Sequence, residues 1–445
     1  MRIALLTAGS RGDVQPLVAL GRALARAGHG FTLVAPRGFA PLAREHGVPF
    51  HGAGPEDWPT PDDVAERVRR GEFGDAANLR GWPLLRFAYD LFARNMTRFT
   101  ADALAACEGA DAVGSASLTA FAGHSIAEKL GVPYFHAVPQ PAMATRELPS
   151  PIFPPGPSWV PGYNRLTYWA TERVVWRLNR ESAASLRRDA LGLAPYDGWV
   201  FDRVRREAPP VLTGVSPSIV PRPRDWAPNY HMTGYWFLDA PDGWSPPPTL
   251  AEFLASGPPP VCVGFGSMPS ADPAADLRTI VAALERAGHR GIVLSGWAGL
   301  DAHARDLPAT VLALDAAPHA WLFPRAAAVV HHGGAGTTAA AFRAGVPQVV
   351  VPVTADQPFW ADRVRRLGAG PAGIPRKRLT AERLAAAIDR AVEDATRERA
   401  RELGARVRAE DGGARAVEIL ERALSGRAKG APVAGHALPF RSSGA

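Results

Sequence analysis

The sequence predicts an α/β protein built from two doubly wound, parallel-sheet domains. Residues 3–35 read as strand, polar loop, helix and strand, which is the start of a parallel sheet. The same order returns over residues 261–294, where LERAGH at 284–289 nearly repeats LARAGH at 24–29. A Pro- and Gly-rich stretch separates the two repeats, as expected of a connection between domains. The alternative is that Ala- and Arg-rich helices ending at Gly resemble one another by composition alone.

Hydrophobic periodicity and Gly positions define the elements of each half. In the first half they predict a strand over 3–8, a loop over 9–13, a helix over 14–27 and a strand over 31–35. In the second half they predict strands over 261–265, 291–294, 327–330 and 348–351, with helices over 277–287 and 337–344.

These elements divide the chain into five parts. Residues 1–240 form the predicted first domain, 241–258 a stiff Pro-rich linker, and 259–413 the second domain. An amphipathic helix over 414–424 is expected to pack back towards the first domain, and the tail over 425–445 is expected to be disordered.

The composition indicates a globular protein with no nucleic-acid partner. Of 445 residues, 47% are hydrophobic and 21% charged, and the net charge of +7 comes almost entirely from Arg scattered along helices. Scattered charge is typical of a solvated surface. Cys107 and Cys262 form no CxxC pair, so neither a disulfide nor a zinc site is expected.

The first residues turn polar too soon for a signal peptide, and no apolar run reaches the roughly 18 residues of a spanning helix. We therefore expect a cytoplasmic protein without a transmembrane segment, while peripheral membrane contact stays open.

Aromatic residues are concentrated in the middle of the first half. At helical spacing they are expected mostly in the core, and a minority could line a pocket for a hydrophobic acceptor. They are Trp82, Phe87, Tyr89, Phe92, Phe99, Phe153, Trp159, Tyr163, Tyr168, Trp169 and Trp176.

The most specific segment is HHGGAGTT at 331–338, between a predicted strand and helix. A Gly-rich turn exposes backbone N–H groups, and the helix N-terminus adds about half a positive charge. His332, Thr337 and Thr338 supply further donors, so the segment predicts a pyrophosphate cradle. It lacks the Lys of an ATP-binding loop and the spacing of a nicotinamide motif. Adjacent His residues on a strand point to opposite faces, so no metal site is expected.

Asp356 and Gln357 follow the next predicted strand. Ligands of open α/β sheets bind at the carboxyl ends of strands. A carboxylate and an amide together match the vicinal hydroxyls of a sugar.

These segments resemble family 1 glycosyltransferases, most closely the sterol and bacterial natural-product glucosyltransferase branch. Residues 317–360 are similar to the family's donor signature, and residues 9–16 (GSRGDVQP) and 232–236 (MTGYW) are similar to its first domain. The resemblance covers nearly the whole chain except the tail. It implies the GT-B fold, in which two Rossmann-like doubly wound domains face a central cleft, with the acceptor mostly on the first and the nucleotide sugar mostly on the second.

The resemblance also implies the chemistry. It implies metal-independent, inverting transfer of a hexose from a nucleotide diphosphate sugar to a hydroxyl of a hydrophobic small molecule, such as a sterol or polyketide. UDP-glucose is favoured as donor and a TDP-sugar is the alternative. The nucleotide sugar is a co-substrate, so no cofactor is expected.

Donor-site residues are carried over by position. His332, Gly334, Gly336 and Thr337 are expected on the diphosphate, and Asp356 and Gln357 on the sugar. Gly266 and Ser267 are expected to approach the phosphates from the other side, with Ser10, Arg11 and Gly12 helping from the first domain. Trp297 resembles the residue that stacks on the donor base, although a core or surface role is an alternative. Ala316 and His319 stand where plant-type members have Trp and Gln, so base recognition by that route is not carried over.

Inverting transfer needs a base, and the first loop offers Asp13 rather than the His of many members. Glycopeptide-type relatives look similar here, which implies that Asp13 is the catalytic base. The alternative is that Asp13 is the N-cap of the first helix.

Two other functions compete with this interpretation. A sugar-nucleotide epimerase of the same fold would need further acid and base carboxylates in the cleft, and the sequence shows no clear second one. A non-catalytic partner protein would be expected to lose the cradle or the Asp356–Gln357 pair, and both are present.

Overall fold

Two parallel sheets organise the computed structural model, which describes residues 1–56, 58, 82–153, 156, 160–241, 243–265, 272–294 and 307–425, with only the backbone for 82–92. The first sheet has the order β3-β2-β1-β4-β5-β6-β7 with parallel neighbours throughout. Its strands are β1 Arg2–Leu6, β2 Gly30–Ala35, β3 Phe50–Gly52, β4 Ala112–Ser115, β5 Tyr134–Val138, β6 Val211–Thr213 and β7 Tyr230–Met232.

The second sheet has the order β10-β9-β8-β11-β12, again with parallel neighbours. Two parallel-sheet α/β domains are the fold class that the sequence predicts, and the prediction is confirmed. The strands are β8 Val261–Gly264, β9 Gly291–Leu294, β10 Val311–Leu314, β11 Ala328–His331 and β12 Gln348–Val350.

Helices cover both faces of each sheet, which is why the strands read as continuous apolar runs. In the first part of the chain they are α1 Arg11–Arg26, α2 Ala40–Glu45, α3 Trp82–Cys107, α4 Ala120–Leu130, α5 Tyr163–Ser185 and α6 Val200–Glu207. In the second they are α7 Pro248–Ala255, α8 Pro273–Arg286, α9 His319–Leu322, α10 Ala335–Ala344, α11 Gln357–Arg366, α12 Ala381–Ala391, α13 Asp394–Arg408 and α14 Gly412–Ser425.

Two differences from the predicted elements have local reasons. Helix α1 begins at Arg11, three residues before the predicted start, because Ser10 takes the extended N-cap conformation. The stretch predicted as a linker contains α7, whose first residue is Pro248 and which buries Leu250 completely. Proline suits the first position of a helix, since its missing N–H would be unpaired there anyway.

The aromatic residues of the middle segment divide between core and surface. Phe99 and Tyr168 are buried, whereas Trp169 is 55% exposed. Trp176 lies within an aromatic cluster that includes Phe121 and Tyr196. Trp159 and the side chains of Trp82, Phe87, Tyr89 and Phe92 lie outside the described residues.

An apolar cluster joins the two domains. Ile219 and Tyr235 of the first domain pack in it with Phe359 and Trp360 of the second. Burying large side chains of this kind contributes roughly 1.5–3 kcal/mol each. The cluster therefore stabilises one arrangement of the two sheets.

The C-terminal helix α14 returns to the first domain. Its Ala416 and Leu420 belong to the same buried cluster as Leu17 of α1. At its start, a Cβ added to Gly412 would lie 2.5 Å from the backbone oxygen of Gly234. Only a residue without a side chain allows these two backbones to approach so closely. Among the described residues, no helix is both long and apolar enough to span a bilayer.

This close approach predicts a large effect for one methyl group. We expect Gly412→Ala to destabilise the protein by about 1–3 kcal/mol, because overpacking a backbone contact forces the chain to shift. Gly336 is a matched control, since it also lies in the first turn of a helix but has open space around an added Cβ. Gly336→Ala should leave the melting temperature unchanged or raise it slightly, since Ala is the better helix former. Equal melting temperatures for the two variants would contradict the proposed contact.

Candidate active site

Chain order reverses at one point in each sheet, and both predicted motifs leave from these points. In the first sheet the reversal lies between β1 and β4, and in the second between β8 and β11. Ligands of open α/β sheets bind in the crevice outside such a reversal. The loop after β1 leads to Asp13, and the loop after β11 carries His332.

Asp13 is held at the N-terminus of α1. Its Oδ2 accepts hydrogen bonds from the backbone N–H and the Oγ–H of Ser10, both at 2.8 Å. The N-cap residue is therefore Ser10, and the alternative that Asp13 is itself the N-cap is wrong: Asp13 stands at the third helical position and closes the cap from there. Burial raises the pKa of the Asp13 carboxyl, while the bonds from Ser10 oppose the rise. A carboxylate with a raised pKa is a stronger base.

Gly9 makes room for this carboxylate. It has a φ of +118°, and an added Cβ would lie 2.5 Å from Oδ2 of Asp13 and 2.8 Å from Cδ1 of Leu118. A side chain here would thus displace the proposed base. The sequence motifs give Gly9 no role of its own, although a Gly directly after a predicted strand is a signal for such a close approach.

The His331 side chain forms hydrogen bonds that hold the turn of the cradle in place. Its Nδ1 accepts the N–H of Gly333 at 3.1 Å, which leaves Nε2 to donate to Oε1 of Gln348 at 3.0 Å. Burial lowers the pKa of His331 to about 3, with a further contribution from His332. The ring is therefore neutral, with a single tautomer fixed by its two partners.

The cradle itself is the start of α10. Its first backbone bond runs from the N–H of Thr338 to the carbonyl of Gly334 at 2.9 Å. The amides of Ala335, Gly336 and Thr337 precede that bond, so they are available to an anion at the helix N-terminus. A Cβ added to Gly336 would meet no heavy atom within 4 Å, so the approach is open there.

Two buried side-chain atoms at the cradle have no hydrogen-bond partner among the described residues. They are Nδ1 of His332 and Oγ1 of Thr338. Buried polar groups normally have partners, so such atoms call for a ligand or solvent. Gly334 borders His332 closely, since an added Cβ would lie 2.5 Å from Nε2 of that ring.

His319 joins the cradle, although sequence analysis noted it only as a departure from plant-type members. Its ring stacks on Phe323 with a centroid distance of 4.3 Å. Burial lowers its pKa to about 4, and the charges of Arg11 and His332 lower it further. Arg11 belongs to the first domain, so its charge acts on a side chain of the second. Burial also lowers the pKa of His332 to about 4.

Asp356 and Gln357 lie where β12 leads into α11. Oδ2 of Asp356 accepts hydrogen bonds from Nε1 of Trp360 at 2.8 Å and from Nε2 of Gln140 at 2.9 Å. Burial raises the pKa of Asp356 to about 6, and the nearby charge of Asp13 contributes to the rise. A second carboxylate therefore lies within electrostatic range of Asp13, which the sequence did not reveal.

The loop before α11 is held by its own side chain. Oε1 of Gln357 accepts the backbone N–H groups of Val353 at 2.7 Å and Thr354 at 3.1 Å. Ala355, which follows Thr354, has a φ of +54°, an unusual value for a residue with a side chain. The amide oxygen of Gln357 thus fixes the loop that presents Asp356.

Of the remaining predicted site residues, some are described by the structure and others are not. Gly12 is exposed beside Arg11, and Thr337 is half-buried at the cradle. Gly266, Ser267 and Trp297 lie outside the described residues. Within the described part of the chain, no group of three His, Cys, Asp or Glu side chains has the arrangement of a metal site.

Comparisons with known proteins agree with this architecture. Residues 3–149 match the family model of the glycosyltransferase family 28 N-terminal domain. Residues 282–422 match the model of the erythromycin biosynthesis protein CIII-like C-terminal domain. The calicheamicin glycosyltransferase CalG4 superposes with a TM-score of 0.68 at 21% identity, covering 96% of this chain and 98% of CalG4.

Two relatives with named activities are more similar in sequence. O-mycaminosyltylonolide 6-deoxyallosyltransferase of Streptomyces fradiae is 39% identical over 434 residues, covering 95% of this chain and 97% of that protein. Sterol 3-beta-glucosyltransferase of Aspergillus fumigatus is 36% identical, covering 95% of this chain, which spans 30% of that protein's length. The chain is therefore a glycosyltransferase and belongs to family 1 of the GT-B-fold glycosyltransferases, the family that its motifs resemble.

Proposed function

We propose that this enzyme transfers a hexose, with inversion and without a metal ion, from a nucleoside diphosphate sugar to a hydroxyl of a hydrophobic natural product or sterol. In this reaction the acceptor oxygen attacks the anomeric carbon, and the bond from that carbon to the diphosphate oxygen breaks. Asp13 takes the acceptor proton, and the nucleoside diphosphate leaves with the negative charge. Each of these roles has a group of matching chemistry in the cleft.

One observation carries the proposal. Nε2 of Gln140 in the first domain donates a hydrogen bond to Oδ2 of Asp356 in the second at 2.9 Å. Burial raises the pKa of Asp356, and the charge of Asp13 in the first domain adds to the rise. The proposed base and the proposed donor site therefore lie in one cleft. A sugar held by Asp356 would present its anomeric carbon between the two domains, where an acceptor on the first domain could reach it.

The charge of the leaving diphosphate can be met by protein groups. The α10 N-terminus supplies backbone amides, and His332 and Arg11 supply side-chain donors. Donors that are already in place cost no reorganisation as charge develops. For this reason we propose that chelation of divalent cations leaves turnover unchanged.

The proposal also concerns the identities of the donor sugar and of the acceptor. The resemblance of the motifs favours UDP-glucose, whereas the Streptomyces fradiae relative is named as a 6-deoxyallosyltransferase. A panel of UDP-glucose, TDP-glucose and a TDP-6-deoxyhexose, read by thermal shift, would identify the donor. An acceptor library of macrolides, other polyketides and sterols would follow with that donor. A product of retained anomeric configuration, or turnover abolished by EDTA and restored by a divalent ion, would overturn the corresponding part.

A sugar-nucleotide epimerase makes a different prediction for the donor alone. Asp356 supplies the second carboxylate that such an enzyme would need. Incubation with the nucleotide sugar and no acceptor should return the sugar unchanged if the proposal is right. Epimerised sugar in that incubation would favour the rival function.

The role of Asp13 leads to a test by Asp13→Asn. The amide oxygen can still accept the N–H of Ser10, so the helix cap is retained while the base is lost. We expect kcat to fall by about 10²–10⁴-fold with little change in donor affinity. In the wild type, kcat/KM should rise as the pH increases through the raised pKa of Asp13, because only the ionised carboxylate accepts a proton. That limb should be missing from any residual activity of the variant. Turnover near the wild-type level would remove Asp13 from the mechanism.

The open space at Gly336 leads to a test of the cradle. In Gly336→Ala the methyl group would occupy the approach of a phosphate without disturbing the free protein. We expect the Kd for the nucleoside diphosphate to rise by about tenfold or more, since the lost contacts are hydrogen bonds to a charged group. The melting temperature without ligand is the internal control. Unchanged affinity would place the diphosphate elsewhere.

His332→Ala tests the side-chain donor of the same cradle. We expect weaker binding of the nucleoside diphosphate and a lower kcat. The reason is that the imidazole would contact the diphosphate both in the bound ground state and in the transition state. His319→Ala, measured beside it, reports whether the second imidazole contributes. Equal donor affinity and rate for His332→Ala and the wild type would count against the assignment.

A further inference from the structure

The hydrogen bond between Gln140 and Asp356 links the two domains directly at the donor site. It joins residues 216 positions apart at 2.9 Å. Gln140 follows β5 of the first sheet, and Asp356 follows β12 of the second. Both residues thus lie at the carboxyl ends of strands, on the facing edges of the two domains.

The backbone around Gln140 is stiff. Gln140 lies between Pro139 and Pro141, and a residue before proline is restricted to extended conformations. The carbonyl of Pro141 is within 3.5 Å of the hydroxyl of Tyr168. The side chain therefore starts from a fixed position.

The loop beyond Gln140 is anchored within the first domain. Oγ1 of Thr145 donates to Oδ1 of Asp225 at 2.5 Å. Nε1 of Trp226 donates to the carbonyl of Met143 at 3.2 Å. The position of Gln140 consequently belongs to the first domain and does not follow movements of Asp356.

Asp356 depends on donors from both domains. Its Oδ2 accepts one bond from the completely buried Trp360 and one from Gln140. The indole fixes the carboxylate relative to its own helix, and the amide fixes it relative to the first domain. Two donors to a single oxygen define the plane of the carboxylate and favour its ionised form.

We propose that Gln140 is a positioning residue that orients the Asp356 carboxylate for the hydroxyls of the donor sugar. The inference rests on the proposed function, in which Asp356 holds that sugar. It assigns to the first domain a part in recognising the sugar, acting through a side chain of the second. Gln140 should therefore contribute to the affinity that the sugar adds to the nucleotide and leave the affinity for the nucleotide unchanged.

The experiment compares nucleotide with nucleotide sugar. Calorimetric titration would use UDP against UDP-glucose, or TDP against TDP-glucose, whichever pair the wild type binds. Gln140→Met keeps the length of the side chain but cannot donate. We expect it to weaken binding of the nucleotide sugar about tenfold, the usual cost of a hydrogen bond to a charged group, and to change nucleotide binding less than twofold.

Gln140→Glu adds a readout that a packing role would not move. It places a carboxyl beside Asp356, and two adjacent carboxyls titrate as a pair that retains one proton to a higher pH. We expect affinity for the nucleotide sugar to be lost at pH 8 and partly recovered at pH 5.5, where a shared proton replaces the amide donor. Gln140→Met should show no such recovery.

Two controls separate the possible failures. Thr145→Val removes the anchor of the same loop, so an equal loss in this variant would attribute the effect to loop order and overturn the proposal. Equal weakening of nucleotide and nucleotide sugar by Gln140→Met would also overturn it. If Asp356→Ala weakens sugar binding while Gln140→Met does not, only the role of Gln140 is wrong. If Asp356→Ala leaves sugar binding unchanged, the assignment of Asp356 in the proposed function fails, and the role of Gln140 fails with it.

Discussion

The contact between the two domains is the constraint on which the site depends. Neither sheet holds a complete site, because Asp13 follows β1 of the first and His332 follows β11 of the second. The apolar cluster around Ile219 and Trp360 keeps the two sheets face to face. Ser216 and Ser218 add hydrogen bonds to one oxygen of Glu410, each at 2.8 Å. Packing within the apolar cluster is non-directional, whereas the polar bonds select one orientation.

Removal of water gives the cleft its chemistry. Burial raises the pKa of Asp13 and Asp356 and lowers that of His319 and His332, so these four groups are shifted towards their neutral forms. A ligand of opposite charge, or a hydroxyl that forms a hydrogen bond, would stabilise the charged forms of these groups. In the proposed complex the carboxylates would face the sugar and the acceptor, while the imidazoles and Arg11 would face the diphosphate. The distribution of charge in the cleft thus matches the polarity of a nucleotide sugar.

The features that could be predicted from the sequence are those formed by residues close together in the chain. The repeated strand–loop–helix pattern predicted both parallel sheets, because hydrophobic periodicity is a local property of the chain. The cradle at 331–338 was equally local, since its Gly residues and helix start are contiguous. Helix α7 was missed because its prolines were interpreted as part of a linker, although they also suit the first turn of a helix. Gly9 was missed because its partner is a side chain whose orientation the sequence does not specify.

Sequence reasoning also missed the interactions that cross the cleft. Gln140 has no motif around it apart from two prolines, and its partner lies 216 positions away. The proximity of Asp356 to Asp13 likewise arises only when the two sheets are brought together. In the proposed site, a motif in one domain identifies the donor class, because the diphosphate would contact contiguous residues. Recognition of the sugar would draw on loops of both domains. Substitutions in the loop after β5 would then alter donor preference without changing the signature segment, so donor identity would not be encoded by that segment alone.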